Sequence, residues 1–185
     1  MKQSVHFLRQ HGVILDNGLT DAEISKVEGT FGFRFPPDLR ELLQHALPVS
    51  PGFPNWRDEP ESSLKDRLAG PVDGICFDVV HNDFWMEEWG SKPPDTPTAL
   101  YIVRQAIAKV PVLIPIFSHR YIPDEPHLAG NPIFSVHQTD IVYYGKNLTH
   151  YLANEFSTND ERRFPDYADV CKIRFWSQLV EDWFS

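Results

Sequence analysis

The sequence has only two cysteines among its 185 residues, and this limits what can hold the fold together. Cys76 and Cys171 lie far apart in the chain, and neither has the close neighbour that metal-binding cysteine pairs show. A disulfide scaffold is therefore excluded as the main source of stability. Two isolated cysteines are typical of reduced thiols in a cytosolic protein, so we expect a cytoplasmic location.

Long apolar runs are missing as well. The longest candidate, residues 110–117, is short and contains Pro111 and Pro115, whereas a membrane-spanning helix needs about 20 apolar residues. The first residues alternate charged and apolar side chains, which is not the pattern of a secretory signal. We therefore expect neither insertion into a membrane nor export.

Basic residues are also in short supply. Lysine and arginine number 17 against 26 aspartates and glutamates, which gives a formal net charge of −9. Proteins that bind nucleic acid need clustered positive charge to neutralise phosphates, so this composition argues against a nucleic-acid partner. A basic protein is the better-matched partner, because opposite charges speed encounter and favour docking.

Apolar and aromatic side chains, in contrast, are plentiful. Apolar residues make up 42% of the sequence and aromatic residues 13%, which is enough for a substantial core without disulfide or metal cross-links. The length fits one domain, so we predict a single domain over residues 1–185.

Two helices are predicted after a short helix at the N-terminus. A turn is predicted at residues 16–18, and it separates the N-terminal helix from the two helices that follow. Thr20 then begins a capping box, because Glu23 follows three residues later and an apolar stripe at helical spacing comes next. The second helix is predicted to begin at the proline pair 36–37 and to end at Pro48.

The middle and the end of the chain are predicted to supply the strands. Residues 74–80 and 112–117 are apolar and rich in β-branched side chains, and residues 133–137 and 141–144 are predicted as a hairpin. A terminal helix is predicted at about 173–184. Helices that cluster early, without regular alternation of strand and helix, predict the α+β class, with a mostly antiparallel central sheet and helices packed around it.

Parts of the sequence resemble a known family. The capping-box helix and the stretch FGFRFPPDLRELL are similar to the opening of the SUKH superfamily of Smi/Knr-type domains. Later segments look like one bacterial branch of that superfamily, namely WMEEWG and PVLIPIFSHRYIP followed by GNPIFSVHQTDIVYYG. The resemblance covers about residues 19–156. It departs from the family after the second helix, where Ala46-Leu47-Pro48 replaces a Gly-rich continuation.

The resemblance implies an α+β fold and a protein-binding role without catalysis or cofactor. Bacterial members are thought to be immunity proteins that neutralise secreted polymorphic toxins, many of them nucleases. Fungal relatives regulate cell-wall assembly and signalling. We therefore expect an immunity protein that covers a cationic toxin domain, with a regulatory adaptor as an alternative.

Two tryptophan-containing segments are candidates for the binding surface. Trp56 lies in a loop rich in proline and glycine, without apolar periodicity around it, so we expect its side chain to be exposed. Trp85 and Trp89 are four residues apart, which favours a helical turn with both side chains in the core. Aromatic residues ringed by carboxylates suit a basic protein partner. The candidate partner-binding residues are Trp56, Asp58, Glu59, Glu61, Glu87 and Glu88.

The segment from His119 to Gly145 offers a catalytic alternative. His119 could act as a base oriented by Asp140, with Arg120 holding an anionic substrate, as in a small hydrolase. No nucleophile elbow of the G-x-S-x-G kind accompanies them. The favoured interpretation is structural: Arg120 and Tyr121 brace neighbouring segments, and Asp140 closes a turn. We therefore predict no catalytic residues in the polar cluster formed by His119, Arg120, Tyr121 and Asp140.

Metal binding is the remaining alternative. Asp78, His81 and Asp83 are close in sequence, but no H-E-x-x-H or C-x-x-C spacing occurs. No phosphate-binding loop of the Walker type follows a predicted strand. The sequence therefore predicts neither a metal site nor a bound cofactor.

Overall fold

The fold is α+β, as predicted, with two antiparallel sheets among seven helices in the part of the chain that the computed structural model describes. Those residues are 1–156, Tyr167 and 169–182. A 3₁₀ turn at Glu87–Trp89 lies between the fourth and fifth helices. The helices are α1 (Lys2–Gln10), α2 (Asp21–Phe31), α3 (Pro37–His45), α4 (Glu61–His81), α5 (Thr96–Ile107), α6 (Leu148–Phe156) and α7 (Trp176–Asp182). The strands are β1 (Leu15–Asn17), β2 (Ala46–Pro48), β3 (Leu113–Phe117), β4 (Arg120–Pro123), β5 (Ile133–His137) and β6 (Asp140–Gly145).

The larger sheet is a four-stranded antiparallel meander in the order β3-β4-β5-β6. The predicted hairpin of residues 133–144 forms its second half, with His137 opposite Asp140 at the turn. Strand β3 lies at the edge and carries a register irregularity between Pro115 and Phe117. An edge position suits Pro115, because proline has no N–H to donate to a neighbouring strand.

Helices cover both faces of this sheet and bury two apolar cores. One core joins α1, α2, α3 and α6 to one face of the sheet, and the other joins α4, α5 and α7 to the opposite face. Successive side chains of a strand point to opposite faces, and the strands divide accordingly. Ile114 and Ile122 belong to the first core, whereas Leu113 and Tyr121 belong to the second.

The capping box that starts α2 is present as predicted. The backbone N–H of Glu23 donates to the Thr20 hydroxyl, and the Thr20 N–H donates to the Glu23 carboxylate at 2.7 Å. Gly32 ends the helix in the left-handed conformation, with φ of 74°. This cap fixes the position of Glu23, which has a second role in a cleft described below.

The predicted strand at residues 74–80 is wrong, because these residues continue helix α4. Pro71 has no N–H for the carbonyl of Arg67, the residue four positions earlier, and this would leave that carbonyl unpaired inside the helix. The hydroxyl of Tyr121 donates to the Arg67 carbonyl at 3.2 Å instead. The helix can therefore run through its proline, and its buried side chains follow a helical stripe that includes Leu64, Pro71, Ile75, Asp78 and Val79.

Two shorter segments also differ from the prediction. Residues 16–18 were predicted as a turn and 46–48 as the end of a helix, but Asp16 pairs with Leu47 in a two-stranded antiparallel sheet. Helix α3 ends at His45, because Ala46 is extended and pairs with Asn17 of β1. The terminal helix begins at Trp176, where the Ser177 hydroxyl accepts from the Ile173 N–H at 2.7 Å. The predicted helical residue Trp183 lies outside the described residues.

Candidate functional site

Trp56 is part of the first core, and the expectation of an exposed side chain is wrong. Only 5% of its surface is accessible. Its ring meets Phe31, Phe33 and Phe35 edge to face, with centroids 6.1, 5.8 and 5.3 Å away. Edge-to-face packing of this kind is a favoured geometry of buried aromatic rings. Trp56 therefore holds the loop before α4 against the core, and its indole is not available to a partner.

Glu59 is also turned inward. Its carboxylate accepts from the backbone N–H of Asn55 at 3.0 Å, from the Ser63 hydroxyl and from Arg67 Nε at 2.7 Å. Burial opposes ionisation of this group, but the hydrogen bonds from Ser63 and Arg67 outweigh it and lower the pKa of Glu59. Its charge is therefore used within the protein, to attach the loop to the first turns of α4.

The other acids of this segment lie at the surface, and one of them is paired. Glu61 forms an ion pair with Lys65 one helical turn later at 2.6 Å, and this hydrogen bond lowers the pKa of Glu61. Asp58 is exposed and makes no ion pair with a described residue. Of the acids predicted around Trp56, only Asp58 therefore presents an uncompensated charge.

A cleft of about 390 Å³ lies beside this segment, between α2 and the start of α4. Its charge is balanced by an ion pair between Arg57 and Glu23 at 2.6 Å. The guanidinium of Arg57 also donates to the carbonyls of Asn17 and Gly18. The hydrogen bond from Arg57 lowers the pKa of Glu23 from 4.5 to about 2, with help from the Thr20 cap. This arrangement is a structural clamp between the loop and α2.

Glu87 and Glu88 have different surroundings. Both are exposed on the 3₁₀ turn, and neither pairs with a cation in the part of the chain that the structure describes. The turn is held by backbone hydrogen bonds from Trp89 to Met86 and from Gly90 to Glu87, both at 3.0 Å. Two carboxylates are thus presented side by side on a fixed backbone.

An aromatic cluster supports this turn. The indole N–H of Trp85 donates to the Gly90 carbonyl at 2.6 Å, and its ring meets Trp89 edge to face at 5.3 Å. Trp89 also packs against Phe84 at 5.7 Å and Phe175 at 6.4 Å. Both tryptophans were predicted to lie in the core. The structure shows them half-buried and packed against the second core.

A groove of about 520 Å³ opens next to the cluster. Aromatic rings and carboxylates line one side of it, and a residue of α7 lines the other. We call this the Trp85–Glu88 surface, and its lining residues are Phe84, Trp85, Met86, Glu87, Glu88 and Gln178. It combines the two features that sequence reasoning sought at Trp56, namely accessible aromatic area and uncompensated negative charge.

His119 and Asp140 are exposed at the same end of the sheet but form no hydrogen bond with each other. His119 Nδ1 lies 3.1 Å from the Ser118 hydroxyl. Burial, together with the charges of Arg120 and His137, lowers the pKa of His119. Asp140 begins β6 and pairs with His137 in the strand register. The base and the orienting acid that the hydrolase alternative requires are therefore not brought into contact.

Arg120 braces the sheet from within. Its guanidinium donates to the Ser135 hydroxyl at 3.0 Å, lies 3.7 Å from the centre of the Tyr144 ring, and faces the Glu155 carboxylate at 3.4 Å. These contacts tie β4 to β5, β6 and α6. With Tyr121 bound to the Arg67 carbonyl, both residues have structural partners on neighbouring elements.

Asp78 is a structural residue that sequence reasoning assigned to a possible metal site. Its carboxylate accepts from the backbone N–H and the hydroxyl of Thr139, at 2.8 and 2.6 Å. Burial opposes ionisation, but these hydrogen bonds and one from Asn82 lower the pKa of Asp78. Gly74, one turn earlier, lets α4 approach the same hairpin, since a Cβ there would lie 2.8 Å from Gln138 Cα. The turn between β5 and β6 is therefore held by Asp78 as well as by the strand pairing of Asp140 with His137.

The described residues contain no group of three or more histidine, cysteine, aspartate or glutamate side chains that could hold a metal ion. Cys76 and Cys171 form no disulfide, and burial raises the pKa of the Cys76 thiol. Within the same residues, no helix combines the length and the apolar character needed to cross a bilayer.

Comparisons with known proteins add no assignment. No family model matches the sequence, and neither the curated proteins nor the solved structures give a match. The resemblance to the SUKH superfamily accordingly stays a prediction. The function is inferred below from the positions and contacts of the surface residues.

Proposed function

We propose that this chain is a protein-binding module that neutralises a cationic toxin domain by covering it, and that the Trp85–Glu88 surface makes the contact. The observation that carries the proposal is the pair Glu87 and Glu88, which lies on a fixed turn beside aromatic rings and makes no ion pair with a described residue. Carboxylates without internal partners keep their attraction for a basic protein.

The aromatic part of the surface supports the same role. Trp85 and Phe84 line the groove and both pack against Trp89, which in turn packs against Phe175. Rigid aromatic side chains lose little conformational freedom on binding, and tryptophan is frequent among residues that dominate interface energy. A partner's arginine or lysine could stack on such rings and reach the carboxylates at once.

As part of this proposal we assign the chain to the SUKH superfamily and to the cytoplasm. The α+β fold and the two free thiols support these assignments. The role would be that of an immunity protein, which works by occlusion and needs no catalytic group. In the regulatory alternative, a host protein would occupy the same surface.

The proposal predicts that a gene for a secreted toxin lies next to this one, and the test is a co-expression experiment with the C-terminal domain of that toxin. We expect the wild-type chain to rescue growth and the variant Glu87→Lys/Glu88→Lys to lose that rescue. The matched control is Asp58→Lys/Glu61→Lys, which makes the same change of charge at the other acidic segment and should still rescue. Equal rescue by both variants, or no binding to the toxin domain by the wild-type chain, would contradict the proposal.

The hydrolase alternative has its own test. Substitution of His119 by alanine should abolish activity in an enzyme that uses this residue as a base, while the fold is kept. In the binding module that we propose, the same variant should protect against the toxin as well as the wild-type chain does.

A further inference from the structure

Helices α1 and α6 lie side by side at the surface and leave a groove of about 540 Å³ between them. The lining is mainly apolar, with Phe7 and Leu152 as its largest apolar side chains. The residues along it are Lys2, Gln3, Ser4, His6, Phe7 and Gln10 of α1, and Thr149, Leu152 and Ala153 of α6. This groove lies apart from the Trp85–Glu88 surface, and the two share no residue.

The α6 wall of the groove carries small side chains where it faces solvent. Thr149 and Ala153 are exposed and one helical turn apart, while Leu152 is buried beneath them. Small residues at this spacing let another helix approach closely, because little protrudes between the two backbones. The groove therefore has the shape into which the apolar face of a third helix can pack.

The charge of the α1 rim is opposite to that of the whole chain. Residues 1–15 contain no aspartate or glutamate, although the protein carries a net charge of −9. Lys2, His6 and Arg9 follow one another at spacings of four and three residues, so they form one stripe along α1. All three are exposed, and none pairs with an acid of the described chain. Glu41 of α3 contacts the amino group of Met1 at 3.7 Å.

We propose that this groove binds an amphipathic helix of another protein, with apolar side chains in the groove and carboxylates along the Lys2–His6–Arg9 stripe. A second copy of this chain packed through the same groove would bring two basic stripes together, which charge repulsion disfavours. An acidic helix satisfies both the shape of the groove and its charge. This inference does not depend on the proposed toxin partner.

A pair of synthetic helical peptides tests the proposal. The first carries leucine at positions a and d of two heptads with glutamate on the flanks, and its twin has lysine in place of every glutamate. Titration of each labelled peptide with the full chain, followed by fluorescence anisotropy, should show the glutamate peptide binding about tenfold more tightly than its twin. Equal binding of the two peptides, or no binding of the glutamate peptide, would overturn the proposal.

Three variants locate the binding. Ala153→Trp fills the groove without a change of charge and should abolish binding of the glutamate peptide. Lys2→Glu/Arg9→Glu should weaken it about tenfold or more, whereas the control Lys109→Glu, at an exposed position in the turn after α5, should leave it unchanged. Thermal unfolding of each variant verifies that it is folded.

Analytical ultracentrifugation of the chain alone tests whether a second copy fills the groove. We expect the wild-type chain and Ala153→Trp to sediment with the same mass. A dimer that Ala153→Trp dissociates would show that a second copy fills the groove, and the proposal of an acidic helix would then be wrong.

Discussion

The loop at residues 55–61 and the turn at residues 84–90 look alike in sequence, since each combines tryptophan with a run of acids, but the structure uses them differently. In the loop, Trp56 is buried and Glu59 is bound to Arg67 and Ser63. In the turn, Glu87 and Glu88 face solvent and pair with no cation of the described residues. The difference indicates which of the two runs of acids is available to a partner, namely the one whose carboxylates pair with no cation among the described residues.

The tryptophans of the two segments also differ in how far they are enclosed. Trp56 is enclosed by three phenylalanine rings of the first core, whereas Trp85 is held by a single backbone carbonyl and the edge of Trp89. One indole stabilises the fold, and the other presents part of its surface at a groove. Substitutions in the two segments should therefore separate stability from binding.

The largest effect is expected from Trp56→Ala. Removal of a buried aromatic side chain leaves a cavity and should lower the free energy of unfolding by about 3–5 kcal/mol. Trp85→Ala should cost less, about half as much, because part of that side chain is already in water. Denaturant unfolding of both variants measures the difference. Equal losses would contradict the claim that Trp56 contributes more to stability than Trp85 does.

The second-largest loss of stability is expected from removal of the Glu59 carboxylate. Glu59→Gln weakens the hydrogen bonds to Arg67, Ser63 and Asn55, and should lower the free energy of unfolding by about 1.5–3 kcal/mol, since bonds to charged groups are the stronger ones. Glu87→Gln/Glu88→Gln removes two charges that have no described partner. That variant should stay within about 0.5 kcal/mol of the wild type in the same assay.

A smaller effect is expected from pH. The pKa of Glu23 is about 2 in the folded chain against an ordinary 4.5, because Arg57 donates to its carboxylate. A group whose pKa is lowered by folding contributes stability above its unfolded pKa and loses it as the pH falls through the folded value. The contribution should thus disappear between about pH 4.5 and 2. The melting temperature of Glu23→Gln should therefore fall less steeply with decreasing pH than that of the wild type. Identical slopes would show that the ion pair between Glu23 and Arg57 does not stabilise the fold.

The smallest effects are expected at the far hairpin, where exposed polar residues again have few partners. His119→Ala and Asp140→Asn should each change the free energy of unfolding by less than about 0.5 kcal/mol. Asp78→Ala should cost more than either one, because it leaves the Thr139 N–H and hydroxyl without their acceptor. Denaturant unfolding of the three variants gives the ranking, which would be contradicted if Asp140→Asn were the most destabilising.

Features encoded by nearby residues were predictable from the sequence. The capping box of Thr20 and Glu23 and the late hairpin follow from local patterns, and both are present. Strand and helix were confused at residues 74–80, where apolar β-branched residues are as compatible with a buried helix as with a strand. The deciding contact is the Tyr121 hydroxyl on the Arg67 carbonyl, 54 positions away in sequence.

The candidate surface depended more on distant contacts. Glu23 and Arg57 are 34 positions apart, and Asp78 and Thr139 are 61 apart, so their pairing could not be read from either segment alone. Trp56 was expected outside because its own loop has no periodicity, but the rings that bury it come from the end of α2 and the segment after it. Glu87 and Glu88 were predicted as partner-binding candidates, and the structure places both side chains in solvent on a short turn.

The most direct measurement uses the toxin domain that the proposal expects to be encoded beside this gene: the rate of its association with this chain, taken at low and at moderate salt. The account predicts that Glu87→Lys/Glu88→Lys slows association about tenfold at low salt and that added salt shrinks the difference. The matched variant Asp58→Lys/Glu61→Lys should change the rate far less. An equal slowing by both variants would mean that overall charge steers the partner, and would contradict a binding role for the Trp85–Glu88 surface.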